Sequence, residues 1–104
     1  MIITTTETIP AKEIKEILGL VKGNTVRARN IGRDIFAGLK NIVGGEISEY
    51  TKLLTQSREV ALQRLEEDAV KLGADAVINV RITTSNVMAG SSEILAYGTA
   101  VKLK

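Results

Sequence analysis

The chain of 104 residues contains neither cysteine nor histidine. Without cysteine it can form no disulfide framework, no thiol nucleophile and no thiolate metal site. Without histidine it lacks the commonest general base and the commonest transition-metal ligand. Because soft heavy metals prefer thiolate and imidazole, the composition predicts no metal site and weak affinity for such ions. A chain without cysteine also suits a reducing compartment, and we expect the protein to be cytoplasmic.

Aromatic residues are scarce as well, at 3% of the chain, and tryptophan is absent. Nucleic-acid binding uses aromatic stacking or a long basic stripe, and a formal net charge of +2 offers little of the second. No apolar run approaches the roughly 20 residues that a membrane span needs. The first ten residues lack the basic flank and apolar core of a signal peptide. We therefore expect no nucleic-acid partner and no membrane partner.

Motifs of catalysis are missing too. The sequence shows no nucleophile motif and no usual glycine-rich phosphate loop, and Gly44-Gly45 is better interpreted as a junction between helices. Without histidine, only lysines or carboxylates could activate the many serine and threonine hydroxyls. The sequence leans against an enzyme without deciding the matter, and it leaves any cofactor unknown.

The composition that remains is that of an ordinary globular domain, 44% hydrophobic and 25% charged, and we treat residues 1–104 as a single domain. Its charge is unevenly distributed. Residues 22–45 hold five basic side chains against one acidic, whereas residues 46–75 hold seven acidic against four basic. These segments could pair within a subunit or between subunits, or could form ordinary solvated faces.

The chain is organised around one long amphipathic helix. Its apolar residues fall at Ile47, Tyr50, Leu54, Ala61, Leu65, Ala69 and Leu72. This spacing predicts a helix from Glu46 to Leu72, with Ser57 as the one weak step and Gly73 as a left-handed cap. Beyond Gly73 the period changes to two, which predicts a strand over 76–88. One face of that strand would carry Ala76, Ile78, Val80 and Ile82.

The remaining segments predict further strands and a short helix. A first strand is expected over residues 1–6 and a long, bent strand over 14–29, with a short helix over 11–18 as the open alternative. Apolar spacing over 35–43 predicts a short amphipathic helix. The last strand is expected over 93–103, and one of its faces carries small residues that allow close approach. These elements make an α+β, two-layer sandwich of a sheet and helices.

The long helix also predicts self-association. A helix over residues 46–72 would be about 40 Å long, whereas a compact chain of this size has a radius of gyration near 13 Å. One subunit's sheet could hardly cover it. A second apolar flank carries Leu53, Val60, Leu62 and Val70. We therefore expect a symmetric homo-oligomer, with a solitary monomer as the alternative.

Four stretches resemble the signature of the YbjQ-like family of small bacterial and archaeal proteins. They are Thr25 to Asp34 (TVRARNIGRD), Gly44 to Glu46 (GGE), Leu72 to Val77 (LGADAV) and Ala96 to Val101 (AYGTAV). The resemblance covers nearly the whole chain. It implies a dodecin-like subunit, in which one helix packs on an antiparallel sheet. It also implies assembly into a ring, and the expected ring is a pentamer.

The family is named "putative heavy-metal-binding", and this sequence offers few ligands for that role. Sulfur comes only from the weak thioethers of Met1 and Met88. Three consecutive acidic residues, Glu66, Glu67 and Asp68, point in different directions on a helix and are expected to form a solvated face. A ring could still gather one carboxylate from each subunit around its axis.

A more promising group comprises Arg27, Arg29, Asn30 and Arg33, with Arg81 as a further candidate. Arg27 and Arg29 share one face of a strand, and Arg33 lies near a helix start, where free amides favour an anion. Guanidinium groups match phosphate or carboxylate bidentately. The alternative, which we favour, is that these arginines pair with acidic residues such as Asp34, Glu46, Glu49 or Asp75, within or across subunits.

Together these observations predict a homo-oligomeric ring protein that acts as a binding or scaffold module, with a small anionic molecule as the candidate ligand. The alternative function is metal-ion binding, which the absence of cysteine and histidine disfavours. An enzyme of unidentified class is the third.

Overall fold

The computed structural model describes residues 1–27, 47–88 and 91–104. In this part of the chain the elements are β1 (Ile2–Ile3), β2 (Ile14–Arg27), α1 (Ile47–Lys71), β3 (Ala76–Met88) and β4 (Ser91–Leu103). Within these residues the fold is α+β, with one helix packed on a four-stranded sheet of order β1-β3-β4-β2. The short helix predicted over 35–43 lies outside the described residues, as do the last two positions of the strand predicted over 14–29.

The sheet is mixed, whereas we predicted an antiparallel one. β2 and β3 both pair antiparallel with β4, but β1 pairs parallel with β3, with Ile2 opposite Ala76. The prediction was wrong because β1 and β2 lie at opposite edges of the sheet, so the chain has to cross it between them. Ile9 lies on this crossover and packs against a small core of Ala76, Ile78 and Val101, on the face away from the helix.

The strand predicted from Ile14 is confirmed, and the alternative helix over 11–18 is excluded. Pro10 belongs to a tight turn in which the Lys12 N–H donates to the Ile9 carbonyl at 3.1 Å. Ala11 follows the proline with a φ of 62°, which is the pattern of a type II turn. Two register shifts against β4 lie near the start of β2, and irregularities of this kind bend a strand.

The long helix is confirmed over Ile47–Lys71, and it ends in the left-handed cap predicted at Gly73. Gly73 has a φ of 76°. Its N–H donates to the Val70 carbonyl at 2.9 Å, and the Ala74 N–H donates to the Ala69 carbonyl at 3.1 Å. These are the two bonds of a Schellman motif, which turns the chain directly into β3.

The core between α1 and the sheet is built mostly from small and branched side chains. Its buried members are Val21, Ala61, Leu65, Ala69, Val77, Val80, Ile94, Ala96 and Ala100. Ala96 and Ala100 belong to the small-residue face of the last strand, and it is the chain's own helix that approaches this face. The contact is close at Gly23 on β2, where a Cβ would meet the Ala61 carbonyl and the Leu65 amide nitrogen. The small residues therefore serve packing within one subunit and do not indicate an interface.

Ser57, the weak step in the apolar pattern of α1, is 1% exposed. Its hydroxyl donates to the Leu53 carbonyl at 2.9 Å, and the Thr25 hydroxyl donates to the Ser57 carbonyl at 3.0 Å. A buried polar side chain is tolerated here because its hydroxyl is hydrogen-bonded. The second bond also joins the helix to β2.

A bulge interrupts β3 at Asn79, which has a φ of 54°. Ile78 pairs with Thr99 and Arg81 pairs with Tyr97, so two residues of β3 lie opposite Gly98 of β4. This is the two-against-one count of a β-bulge.

The bulge reverses the alternation of β3 beyond it. We predicted Ala76, Ile78, Val80 and Ile82 on one face, and this prediction is wrong past Ile78. Ala76 and Ile78 face away from α1, whereas Val80 packs in the core beneath the helix and Ile82 pairs with Ala96 on that side. The extra residue shifts the period of two by one step.

The sheet face away from α1, called the open face below, carries large exposed apolar side chains. Ile17 and Leu20 are each 69% exposed, Val26 is 54% exposed and Tyr97 is 38% exposed. The molecule measures 54 × 26 × 17 Å with a radius of gyration of 16.9 Å, against about 13 Å for a compact chain of about 100 residues. The subunit is thin and elongated, so much of its sheet stays uncovered by the described residues.

Candidate functional site

Arg81 is the predicted anion ligand whose side chain lies within the described part of the chain. Its Nη1 donates to the carbonyls of Thr5 and Val80, each at 2.9 Å. Arg81 thus ties the N-terminal segment to β3, a structural role that the sequence did not predict. Both bonds come from one nitrogen, and a guanidinium carries five N–H donors in all.

The other predicted ligands cannot be placed against Arg81 in detail. Arg29, Asn30 and Arg33 lie outside the described residues, and Arg27 is described only as the last backbone position of β2. In the ladder Arg27 pairs with Ser92 and Arg81 pairs with Tyr97. These pairs are five positions apart on β4, or about 17 Å. The arginine cluster stays a prediction.

A second cation does lie close to Arg81. Lys22 of β2 and Arg81 of β3 both pair with Tyr97 of β4, so the three residues form one row across the open face. Neighbouring strands are about 4.8 Å apart, which sets Lys22 and Arg81 on either side of the tyrosine. All three side chains are exposed. This row, called the cationic row below, combines two positive charges with an aromatic hydroxyl.

Asp75, one of the acidic residues suggested as an arginine partner, has other partners in the structure. Its carboxylate accepts the Leu103 backbone N–H at 2.9 Å and lies 3.6 Å from the Lys102 ammonium. The hydrogen bond from Leu103 is the main reason that the pKa of Asp75 lies below its ordinary value of 3.8, and the Lys102 charge lowers it further. Asp34, Glu46 and the side chain of Glu49 lie outside the described residues.

Two charged residues of α1 have a function that sequence reasoning missed. The Asp68 carboxylate accepts the Lys22 backbone N–H at 3.1 Å, and Arg64 Nη1 donates to the Asn24 carbonyl at 2.6 Å. Both bonds satisfy backbone groups of β2, which lies at the edge of the sheet. The sequence signal that could have identified this pair is its spacing, because residues 64 and 68 are four apart and therefore lie on the same face of the helix.

The donor set does not fit a heavy-metal site in the described ranges. Across residues 1–27, 47–88 and 91–104, no three aspartate or glutamate side chains come together in a way that could hold an ion. Of the acidic trio, Glu67 is exposed and Asp68 bonds the edge of β2. In the same ranges, α1 is not apolar enough to be a membrane-spanning helix.

Comparison with known proteins identifies the family. The model of the YbjQ family, described as "Putative heavy-metal-binding", matches residues 1–104. The chain belongs to the YbjQ family. It is 65% identical over 104 residues to a UPF0145 protein of Archaeoglobus fulgidus, covering 100% of this chain and 96% of that protein. It is 62% identical over 103 residues to a UPF0145 protein of Vibrio campbellii, covering 99% of each.

A solved structure supports the fold of this YbjQ-family protein. It is the crystal structure of a protein with unknown function of the DUF74 family from Pediococcus pentosaceus, with a TM-score of 0.65 and 20% sequence identity. The alignment covers 100% of this chain and 98% of that one. At this identity the likeness concerns the fold alone.

Proposed function

We propose that this YbjQ-family protein is a homo-oligomeric binding or scaffold module of the cytoplasm. The observation that carries the proposal is the open face, where Ile17 and Leu20 are each 69% exposed. Contiguous exposed apolar surface marks interaction sites on soluble proteins. On the helix, Leu62 packs against the chain's own core, but Val70 is 60% exposed. The dodecin-like resemblance supports a closed ring of five copies, and the absence of cysteine favours a reducing compartment.

Native mass spectrometry of protein purified without added metal tests the assembly. We expect a species of five times 11.2 kDa, and the same spectrum shows the added mass of any retained ligand. A single species of 11.2 kDa at micromolar concentration would contradict the proposal.

We further propose that the ligand is a small anion, held at the cationic row. Lys22 and Arg81 flank Tyr97 on an exposed face, and guanidinium and ammonium groups both bind phosphate or carboxylate. A ligand that binds the folded state raises its stability, by about 2.7 kcal/mol at a hundredfold excess over the dissociation constant.

Thermal melts with and without inorganic phosphate test this second proposal. Phosphate should raise the melting temperature of the parent protein, and Lys22→Gln should remove most of that rise. Only the backbone of Lys22 bonds Asp68, so the substitution leaves that contact in place. Lys12→Gln, another exposed lysine, is the matched control and should keep the parent's response. An equal phosphate response in both variants would rule out the cationic row.

Metal binding is the alternative that the family description favours. With neither cysteine nor histidine in the chain, we predict that zinc, copper and cadmium bind only weakly, through carboxylates or the N-terminal amine. Isothermal titration calorimetry with each ion checks this. A stoichiometric site of sub-micromolar affinity would show that symmetry builds a site that one chain lacks.

A further inference from the structure

The outer edge of β3 is satisfied along its first half. Thr4 donates its N–H to the Val77 carbonyl at 2.9 Å, and its own carbonyl accepts the Val80 N–H at 3.0 Å. The Thr6 carbonyl accepts the Asn79 N–H at 3.0 Å. The N-terminal segment thus takes both outward N–H groups of the bulge, and Arg81 takes the Val80 carbonyl.

Beyond the bulge this cover ends, although β3 continues to Met88. Val80 presents its backbone outward and Arg81 pairs inward with Tyr97, so the alternation turns Ile82, Thr84 and Asn86 outward. Their outward N–H and C=O groups are called the bare edge below. Within the described residues no strand pairs with this part of β3, and side chains 81–86 are all exposed.

The opposite edge of the sheet, formed by β2, is contacted by charged side chains of α1. There, Asp68 and Arg64 of α1 reach over β2 and occupy its outward backbone groups at Lys22 and Asn24. Proteins commonly protect edge strands from other chains with such charged side chains or with proline. Residues 82–88 (ITTSNVM) contain neither a charge nor a proline. In the part of the chain that the structure describes, charged side chains therefore protect two backbone positions of one edge, whereas the other edge has no such protection over seven residues, or about 23 Å.

We propose that the bare edge pairs with an extended strand of a second copy of this chain, continuing the sheet from one subunit to the next. The inference rests on the proposed self-assembly and names the surface that makes it. A second copy suits this edge because the segment is uncharged, so like chains meet without repulsion. Isoleucine, threonine and valine within it also favour strand geometry.

The substitution Thr84→Pro tests the pairing. Proline removes the outward N–H of residue 84, for which no partner lies within residues 1–27, 47–88 and 91–104, and edge strands tolerate proline at such positions. We expect a folded variant whose mass by light scattering falls to 11.2 kDa. Thr84→Val keeps the N–H and is the matched control, and it should assemble like the parent. Circular dichroism and thermal melts establish that each variant is folded.

Hydrogen exchange on the parent protein gives a second measurement that needs no variant. The amides of Ile82, Thr84 and Asn86 should exchange slowly in the assembly, because another copy satisfies them, and their protection should fall on dilution to monomer. This result decides the matter even if Thr84→Pro does not fold.

Two outcomes would overturn the inference while leaving self-assembly intact. One is a folded Thr84→Pro variant that keeps the parent's mass. The other is fast exchange of all three amides in an assembled parent protein. A parent protein that is itself monomeric would instead overturn the proposed function, and the inference with it.

Discussion

At Gly23, α1 packs so close to the sheet that the position has no room for a side chain. A Cβ at this position would meet backbone atoms of Ala61 and Leu65, and backbone of a packed helix cannot move aside as a flexible side chain can. The surrounding core consists mostly of alanines and valines, with Leu65 and Ile94, and these small side chains allow the helix to lie close to the sheet. Gly23 is therefore required for space, not for an unusual backbone angle.

We predict that Gly23→Ala destabilises the protein by about 3 kcal/mol, at the upper end of the usual cost of overpacking. Gly73→Ala is the control. No atom lies within 4 Å of a Cβ at Gly73, so its cost of about 1 kcal/mol comes only from the left-handed backbone. Urea unfolding at one protein concentration measures both. Equal stability of Gly23→Ala and the parent would show that the helix is not held as close as the structure has it.

At the scale of elements, the sequence predicts what depends on neighbours along the chain. The span of α1, its cap at Gly73 and the span of β3 all follow from periodicity and one glycine. The parallel pairing of β1 and the bulge at Asn79 do not. Both depend on which strand pairs with the segment, and the sequence of one segment does not determine its pairing partner.

The candidate site was less predictable for the same reason. Guanidinium chemistry identified Arg81, but its bond to Thr5 joins residues 76 positions apart in the chain. The cationic row forms because β4 brings Lys22 and Arg81 to either side of Tyr97. Asp68 was expected to lie on a solvated face, and its carboxylate in addition bonds the exposed edge of β2. The sequence shows which residues carry a charge, but it does not show which residues each of them contacts.

Asp75 joins two elements, since it stands at the start of β3 and accepts the N–H of Leu103 at the end of β4. That hydrogen bond, together with Lys102, lowers the pKa of Asp75 in the folded protein. A carboxyl with a lowered folded pKa contributes stability that is complete above its unfolded value and is lost as the pH falls through the folded value.

We therefore predict that the parent protein loses stability in acid partly through Asp75, and that Asp75→Asn removes this part of the pH dependence. Urea midpoints measured from neutral pH into acid, below the lowered pKa, check it. Glu13→Gln is the control, because Glu13 pairs with Lys104 at 3.0 Å on the exposed surface and such pairs contribute little. An acid profile of Asp75→Asn that matches the parent's would contradict the prediction.

At the scale of the whole molecule, three features agree. The subunit is thin, its open face exposes Ile17 and Leu20, and its two sheet edges are unequally protected. Among the described residues, nothing in a single subunit covers the apolar side chains of the open face or the bare edge, and both kinds of surface favour association. The proposed self-assembly would cover both surfaces, and it is the central claim for the protein.

Small-angle X-ray scattering tests that claim most directly, because one profile gives both mass and size. An isolated subunit has a mass of 11.2 kDa and a Cα radius of gyration of 16.9 Å. We predict a forward-scattering mass several times larger and a radius of gyration well above 16.9 Å, both unchanged on moderate dilution. A mass of 11.2 kDa with a radius of gyration near 16.9 Å would contradict self-assembly.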